Sequence, residues 1–328
     1  MLEFARRPVI LNQIGGSMTT VLGDYADRID VISGDRDAAE PWKTGGADIL
    51  LTGPSRAWAK APSTPPTDWK DGPRWVQIAS AGIDSFPDWV LSGRHVTCGR
   101  GDAATPIAEF VLSALLDYER DIDRLRPTSP REWEAAAQAL RKRPETGTLH
   151  GRTLGLAGYG AIGQAIAVRA RAFGMRVQVL RRSPLTATSG EIEPVQSLTD
   201  LFRQADHLVL AMPLTQETRG IVDREILQQA KPGLHLVNIA RGALIGQDAL
   251  LHALDAGRPA FATLDVTTPE PLPADHPFYT HPRVRLTPHI SWAGPHVREN
   301  LARRISINLD RYLRGEPLLD TIDPTRGY

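Results

Sequence analysis

Three segments of this chain end an apolar run with a residue able to do chemistry. NIARGALI (238–245) delivers Arg241, LDVTTPEPLP (264–273) delivers Glu270 between two prolines, and LTPHISWAG (286–294) delivers His289. These are an anion binder, a carboxylate and a base that titrates near neutrality. Glu270 and His289 lie 19 positions apart, so only tertiary folding can join them. In an open α/β sheet, ligands bind at the carboxyl ends of the strands, where all three residues fall.

A fourth segment supplies a second kind of site. After TLGLAG (153–158) the chain reads Gly158-Tyr159-Gly160-Ala161-Ile162-Gly163, then a helical stretch, then the strand-like VQVL (177–180). This is GxGxxG in a strand–turn–helix–strand setting. The first glycine permits the tight turn, the second lets backbone approach a pyrophosphate, and the third packs helix on strand. Free N–H groups at the helix N-terminus receive the phosphates. An acidic residue about 20 positions on commonly takes the ribose hydroxyls of NAD. Here Arg181, Arg182 and Ser183 stand at that strand end instead. An acid repels a 2′-phosphate, and an arginine fork attracts one, so the spacing predicts NADP as the preferred cofactor, with NAD possible.

The elements that must position these residues alternate along the chain. Strand candidates are PVIL (8–11), IDVIS (29–33), ADILL (47–51), WVQIA (75–79) and VTC (96–98), then TLGLAG, VQVL, HLVLAM (207–212), LHLVNIA (234–240), FATLDV (261–266) and VRLTP (284–288). Most are continuous apolar runs, as in strands covered on both faces. Helical stretches such as 161–174 and 246–257 separate them, which predicts an α/β fold with parallel sheets. The proline-rich stretch 54–73 reads as a loop, and 124–147 as a charged break with a helical middle. Residues 295–315 read as a long helix with Val297, Leu301, Ile305 and Leu309 on one face. His207 and His235 open strands, away from the expected ligand end, and read as structural. The tryptophans at 42, 58, 69, 75 and 89 read as packing.

The chain has 328 residues, which favours two domains. Lys+Arg and Asp+Glu are equal at 38 each, which argues against a nucleic-acid or membrane-surface binder. One cysteine excludes an internal disulfide framework and a cysteine metal site; no metal site is expected. No leader or membrane span is legible, so a soluble cytoplasmic protein is the expectation.

The segments GRTLGLAGYGAIG, AMPLTQETRGIVD, LVNIARGALIGQDAL, LDVTTPEPLPADHPF and RLTPHIS, in this order, resemble the D-2-hydroxy-acid dehydrogenase family, which includes glyoxylate/hydroxypyruvate reductases. The match is close over about 150–300 and weaker before it, where SAGIDSFP (80–87) looks like the family's substrate loop. The resemblance implies a Rossmann dinucleotide-binding domain (102–291) inserted in a flavodoxin-like substrate domain (1–101 and 292–328), with the active site between them. It implies an enzyme that reduces small 2-keto acids to D-2-hydroxy acids. His289 would be general acid/base, Glu270 its partner, and Arg241 the group that holds the carboxylate and polarises the keto oxygen. The backbone amides of Ala81 and Gly82 would take the carboxylate as well. Met212, Pro213, Thr218, Ile239, Ala240 and Asp265 would join the glycine loop around the cofactor, Asp265 through the nicotinamide amide. A homodimer follows by resemblance only.

Two features depart from the family. Ser291-Trp292 replaces a pair of small residues, so an indole beside His289 is expected to narrow or cap the substrate pocket. Residues 119–150 align with no part of the family. Formate-dehydrogenase-like members pair the histidine with glutamine, and Glu270 argues against that activity. A non-catalytic, dinucleotide-sensing corepressor-like protein is the alternative from another class.

Overall fold

A computed structural model describes residues 6–120, 127–141, 147–182 and 192–323. The chain divides into two compact units, Met1–Ala103 with Gly294–Tyr328, and Ala104–Ala293.

The first unit holds a parallel sheet of β1 (Val9–Asn12), β2 (Asp30–Ser33), β3 (Ile49–Thr52), β4 (Trp75–Ile78) and β5 (His95–Cys98), in the order β2-β1-β3-β4-β5. That is the flavodoxin-like order, with its switch point between β1 and β3. The helix Val297–Leu313 returns to this unit and lays Leu301, Ile305, Leu309 and Tyr312 against Ile10, Leu22, Tyr25 and Trp75. The spacing-four face expected from sequence is therefore the buried one at Leu301, Ile305 and Leu309. The stretch 54–73 does more than connect. It forms two short 3-10 turns that bury Trp58 and Trp69. Trp58 sits 5.1 Å from Phe86, 6.0 Å from Trp42 and 6.4 Å from Trp69, so aromatic contacts fix this segment in the core. Strand β2 differs from the expectation of covered strands. It lies at the sheet edge and leaves Val31 and Ile32 exposed.

The second unit holds β6 (Thr153–Ala157), β7 (Arg176–Leu180), β8 (Glu193–Pro194), β9 (His207–Leu210), β10 (His235–Asn238), β11 (Phe261–Leu264) and β12 (Val284–Leu286). Their order is β12-β11-β10-β9-β6-β7-β8, all parallel, which is the Rossmann order with one further strand. β8 was not legible in the sequence, being a two-residue polar edge strand. His207 and His235 are fully buried at the amino ends of their strands. Their Nδ1 atoms are 3.3 Å apart, His207 Nε2 meets Glu119, and His235 Nε2 meets the Thr263 hydroxyl. Burial, with the charges of His207 and Arg285, pushes His235 far below the usual imidazole range. This cluster joins the helix Ala104–Arg120 to the sheet, as the structural reading of both histidines requires. Among the described residues no helix is long and apolar enough to cross a membrane.

Candidate active site

The glycine loop follows β6, at the switch between β6 and β9. Gly158 has φ +108°, a left-handed conformation that favours glycine, and its N–H donates to Leu180 O at 2.9 Å. A Cβ on Gly158 would stand 2.6 Å from Ala211 O, and one on Gly163 would stand 2.4 Å from Gly158 O. The first and third glycines are thus imposed by backbone packing within the unit. Gly160 is different. Its φ of −80° suits any residue, and a Cβ there would meet nothing within 4 Å. The helix Ala161–Ala172 begins beside this open space, with its first N–H groups unpaired in the helix itself. The loop fits a pyrophosphate, because its second glycine is explained by what approaches from outside and not by the fold.

β7 ends at Leu180, and Arg181 and Arg182 follow it, both exposed. Ser183 lies outside the described residues. Met212 and Pro213 follow β9. Thr218 is turned to this loop: its hydroxyl accepts from Thr215 N and donates to Pro213 O, each at 2.8 Å. The hydroxyl thus helps shape the turn in which Thr218 is expected to meet the cofactor. Ile239 is buried after β10, and Ala240 N donates to Asn238 Oδ1.

β10, β11 and β12 are neighbours, so their carboxyl ends bring Arg241, Glu270 and His289 to one edge. Asn238 is fully buried and its amide grips the turn, donating to Arg241 O at 2.8 Å. Gly242 lies hard against the next loop: a Cβ there would stand 2.1 Å from Thr267 C and 2.3 Å from Thr267 O. Glu270 Oε1 accepts from Thr267 N at 3.1 Å, and Oε2 lies 2.8 Å from His289 Nδ1. A carboxylate only accepts, so Nδ1 donates and Nε2 is the atom left for other partners. Burial alone would raise the Glu270 carboxyl. The hydrogen bond and charge of His289, the Thr267 N–H and the Arg241 charge outweigh it and hold Glu270 below the usual range. Glu270 is therefore ionised at neutral pH. Its contribution to stability is present above the unfolded carboxyl range and is lost as pH falls through its lowered value.

His289 itself has φ +54°, an unusual conformation for a residue with a side chain. Asp265 holds it there. The Asp265 carbonyl accepts from His289 N at 2.9 Å. Its carboxylate accepts from the Thr287 hydroxyl at 2.7 Å, Ile290 N at 2.9 Å and Ser291 N at 3.0 Å. The side chain is only 1% exposed. This hold on the loop is additional to the expected role of Asp265 toward the nicotinamide amide, since three hydrogen bonds leave accepting capacity on its two oxygens. The hold was missed because its donors come 22 to 26 residues later. Trp292 does sit beside His289, with its indole N–H donating to His289 O at 2.8 Å and its ring half-exposed. Ala81 and Gly82 belong to the first unit, in a turn that Ser80 closes by donating to Gly82 O at 2.6 Å.

The Gly242 contact gives an expected result. Gly242→Ala forces two backbones apart, and overpacking of this kind costs about 1–3 kcal/mol. Thermal unfolding should show a lowered Tm, with kcat reduced because the Glu270 loop moves. An unchanged Tm would show that the two loops do not touch.

This geometry agrees with what the chain is similar to. The family model described as D-isomer specific 2-hydroxyacid dehydrogenase, NAD binding domain, matches residues 112–291. Glyoxylate/hydroxypyruvate reductase A of Serratia proteamaculans is 30% identical over 319 residues, covering 88% of this chain and 96% of the relative. Glyoxylate reductase of Thermococcus kodakarensis is 38% identical over 212 residues, 64% of this chain and 63% of the relative. The crystal structure of a D-isomer specific 2-hydroxyacid dehydrogenase family protein from Aeromonas salmonicida superposes with a TM-score of 0.75 at 28% identity, covering 98% of this chain and all of that one. A glycine loop at the switch point, three reactive side chains on adjacent strand ends and a full-length relative point the same way: the chain belongs to the D-isomer specific 2-hydroxyacid dehydrogenase family.

Proposed function

We propose that this protein is an NADPH-preferring reductase of small 2-keto acids, such as glyoxylate or hydroxypyruvate, and forms D-2-hydroxy acids. The observation that carries this reading is the 2.8 Å contact of His289 with an ionised Glu270, one strand end away from Arg241. The names of the relatives agree with it.

The residues 158–163, with Arg181, Arg182, Ser183, Met212, Pro213, Thr218, Ile239, Ala240 and Asp265, hold the dinucleotide. Bound there, a reduced nicotinamide supplies the hydride that the keto carbon accepts. His289 gives a proton from Nε2 to the carbonyl oxygen, and Glu270 keeps the ring oriented and favours its protonated form. Arg241 pairs with the substrate carboxylate and polarises the keto oxygen. The amides of Ala81 and Gly82 take the same carboxylate. Trp292 limits the size of the substrate beside His289. By resemblance the protein acts as a homodimer, and the cytoplasm is the compartment expected for it. Consumption of NADPH against a panel of 2-keto acids tests the reading, and no turnover of any of them contradicts it.

A pH dependence follows. Glu270→Gln removes the charge that favours imidazolium, so the fall of kcat/KM on the alkaline side should begin at lower pH than in the parent. Superimposable pH–rate profiles would remove Glu270 from this role.

A further inference from the structure

Arg36 lies in the turn after β2, the outer strand of the first sheet, yet its guanidinium is not at that edge. Nη1 comes within 3.1 Å of the point where a Cβ on Gly53 would stand, and the Ala79 Cβ is 3.5 Å from the same point. Gly53 follows β3, and Ala79 follows β4. The turn itself has carried Arg36 past the end of β1, since its carbonyl meets Ser55 beyond β3, and the guanidinium stands at the β1/β3 switch point. That is where a flavodoxin-like sheet binds its ligand. Gly53 is buried and has no side chain, which leaves room for the guanidinium. The turn is pinned from the other side, since Ser55 Oγ donates to Arg36 O at 2.7 Å.

The charge placed there is little neutralised. Among the described residues its carboxylate partner is Asp37, 3.8 Å from Nε, with both side chains largely open to solvent. A pair of this length and exposure contributes little. The other acid of the turn, Asp35, is engaged by the backbone N–H of Asp37 at 2.9 Å. Ala79 runs directly into Ser80, Ala81 and Gly82, so the guanidinium adjoins the turn proposed above to take the substrate carboxylate.

We infer that Arg36 reads a second anionic group on the substrate, a distal carboxylate or phosphate, so that dianionic keto acids are favoured over glyoxylate. The inference rests on the proposed role of the Ala81–Gly82 turn. A planar fork suits either anion, because both present paired oxygens.

The test measures kcat/KM with NADPH for glyoxylate, oxaloacetate and 3-phosphohydroxypyruvate, in the full chain and in Arg36→Gln and Arg36→Lys. The readout is the ratio of each dianion to glyoxylate, which cancels any general loss of active protein. In Arg36→Gln that ratio should fall about 10- to 100-fold, the worth of one charge-assisted hydrogen bond or a little more. Arg36→Lys should retain part of it, having charge without the fork. The dianion whose ratio falls identifies the group recognised. Equal ratios in parent and both variants overturn the inference while leaving the reductase reading intact. No reduction of any keto acid by the parent overturns that reading, and this inference with it.

Discussion

Replacing His289 by alanine should lower kcat by about 10²–10⁴-fold, the usual contribution of a positioned general acid, while NADPH binds as tightly as before. The two halves of this expectation have separate origins. His289 is the titratable side chain joined to an ionised carboxylate at the carboxyl edge of the second sheet, through Nδ1 to Glu270 at 2.8 Å. Its backbone is held at φ +54° by bonds from Asp265, so the ring is presented in one orientation. The phosphate loop, in contrast, follows β6, and β9 and β10 separate that strand from β11. Removing an imidazole from the far side leaves Gly158, Gly160 and Gly163 in place. Fluorescence titration with NADPH and steady-state kinetics on the best keto acid check both halves. Near-parental kcat in His289→Ala would remove the proton donor from the mechanism.

The second large effect is expected from Arg181→Ala combined with Arg182→Ala. The parent should prefer NADPH to NADH by about ten- to several-hundred-fold, the worth of one or two charge-assisted hydrogen bonds at roughly 1.5–3 kcal/mol each. Both arginines are exposed immediately after β7, at the strand end where an acid would otherwise take the ribose hydroxyls. Losing them should remove most of the preference by raising KM for NADPH, with little change for NADH. The preference should also shrink with added salt, since exposed charges are screened. A parent that favours NADH would show that the two arginines only end a strand.

Much of this site was legible in the sequence because its signals are local. Buried parallel strands leave continuous apolar runs, and the glycine spacing records backbone approaches that no side chain tolerates. Arg241, Glu270 and His289 each follow such a run, so their common edge followed from the topology alone. What escaped was decided by partners distant in sequence. The hold of Asp265 on the His289 loop is one such feature, made only when Ile290 N and Ser291 N fold onto it. Asn238, which grips the Arg241 turn, gave no signal because one buried amide carries no periodicity. Trp58 and Trp69 read as packing from the sequence, and aromatic contacts do bury both within the proline-rich stretch that reads as a loop. The place of the Arg36 guanidinium depends on the missing side chain at Gly53, a contact that no local pattern records.

The central claim is that a nicotinamide held at the glycine loop reduces the keto carbon of a 2-keto acid. The most direct measurement uses NADPH deuterated at the transferring C4 position, with glyoxylate or hydroxypyruvate as acceptor, and mass spectrometry of the product. The account predicts a 2-hydroxy acid carrying one deuterium at C2, and for hydroxypyruvate the D enantiomer. A product without the label, or NADPH binding with no reduced product from any keto acid, would contradict it.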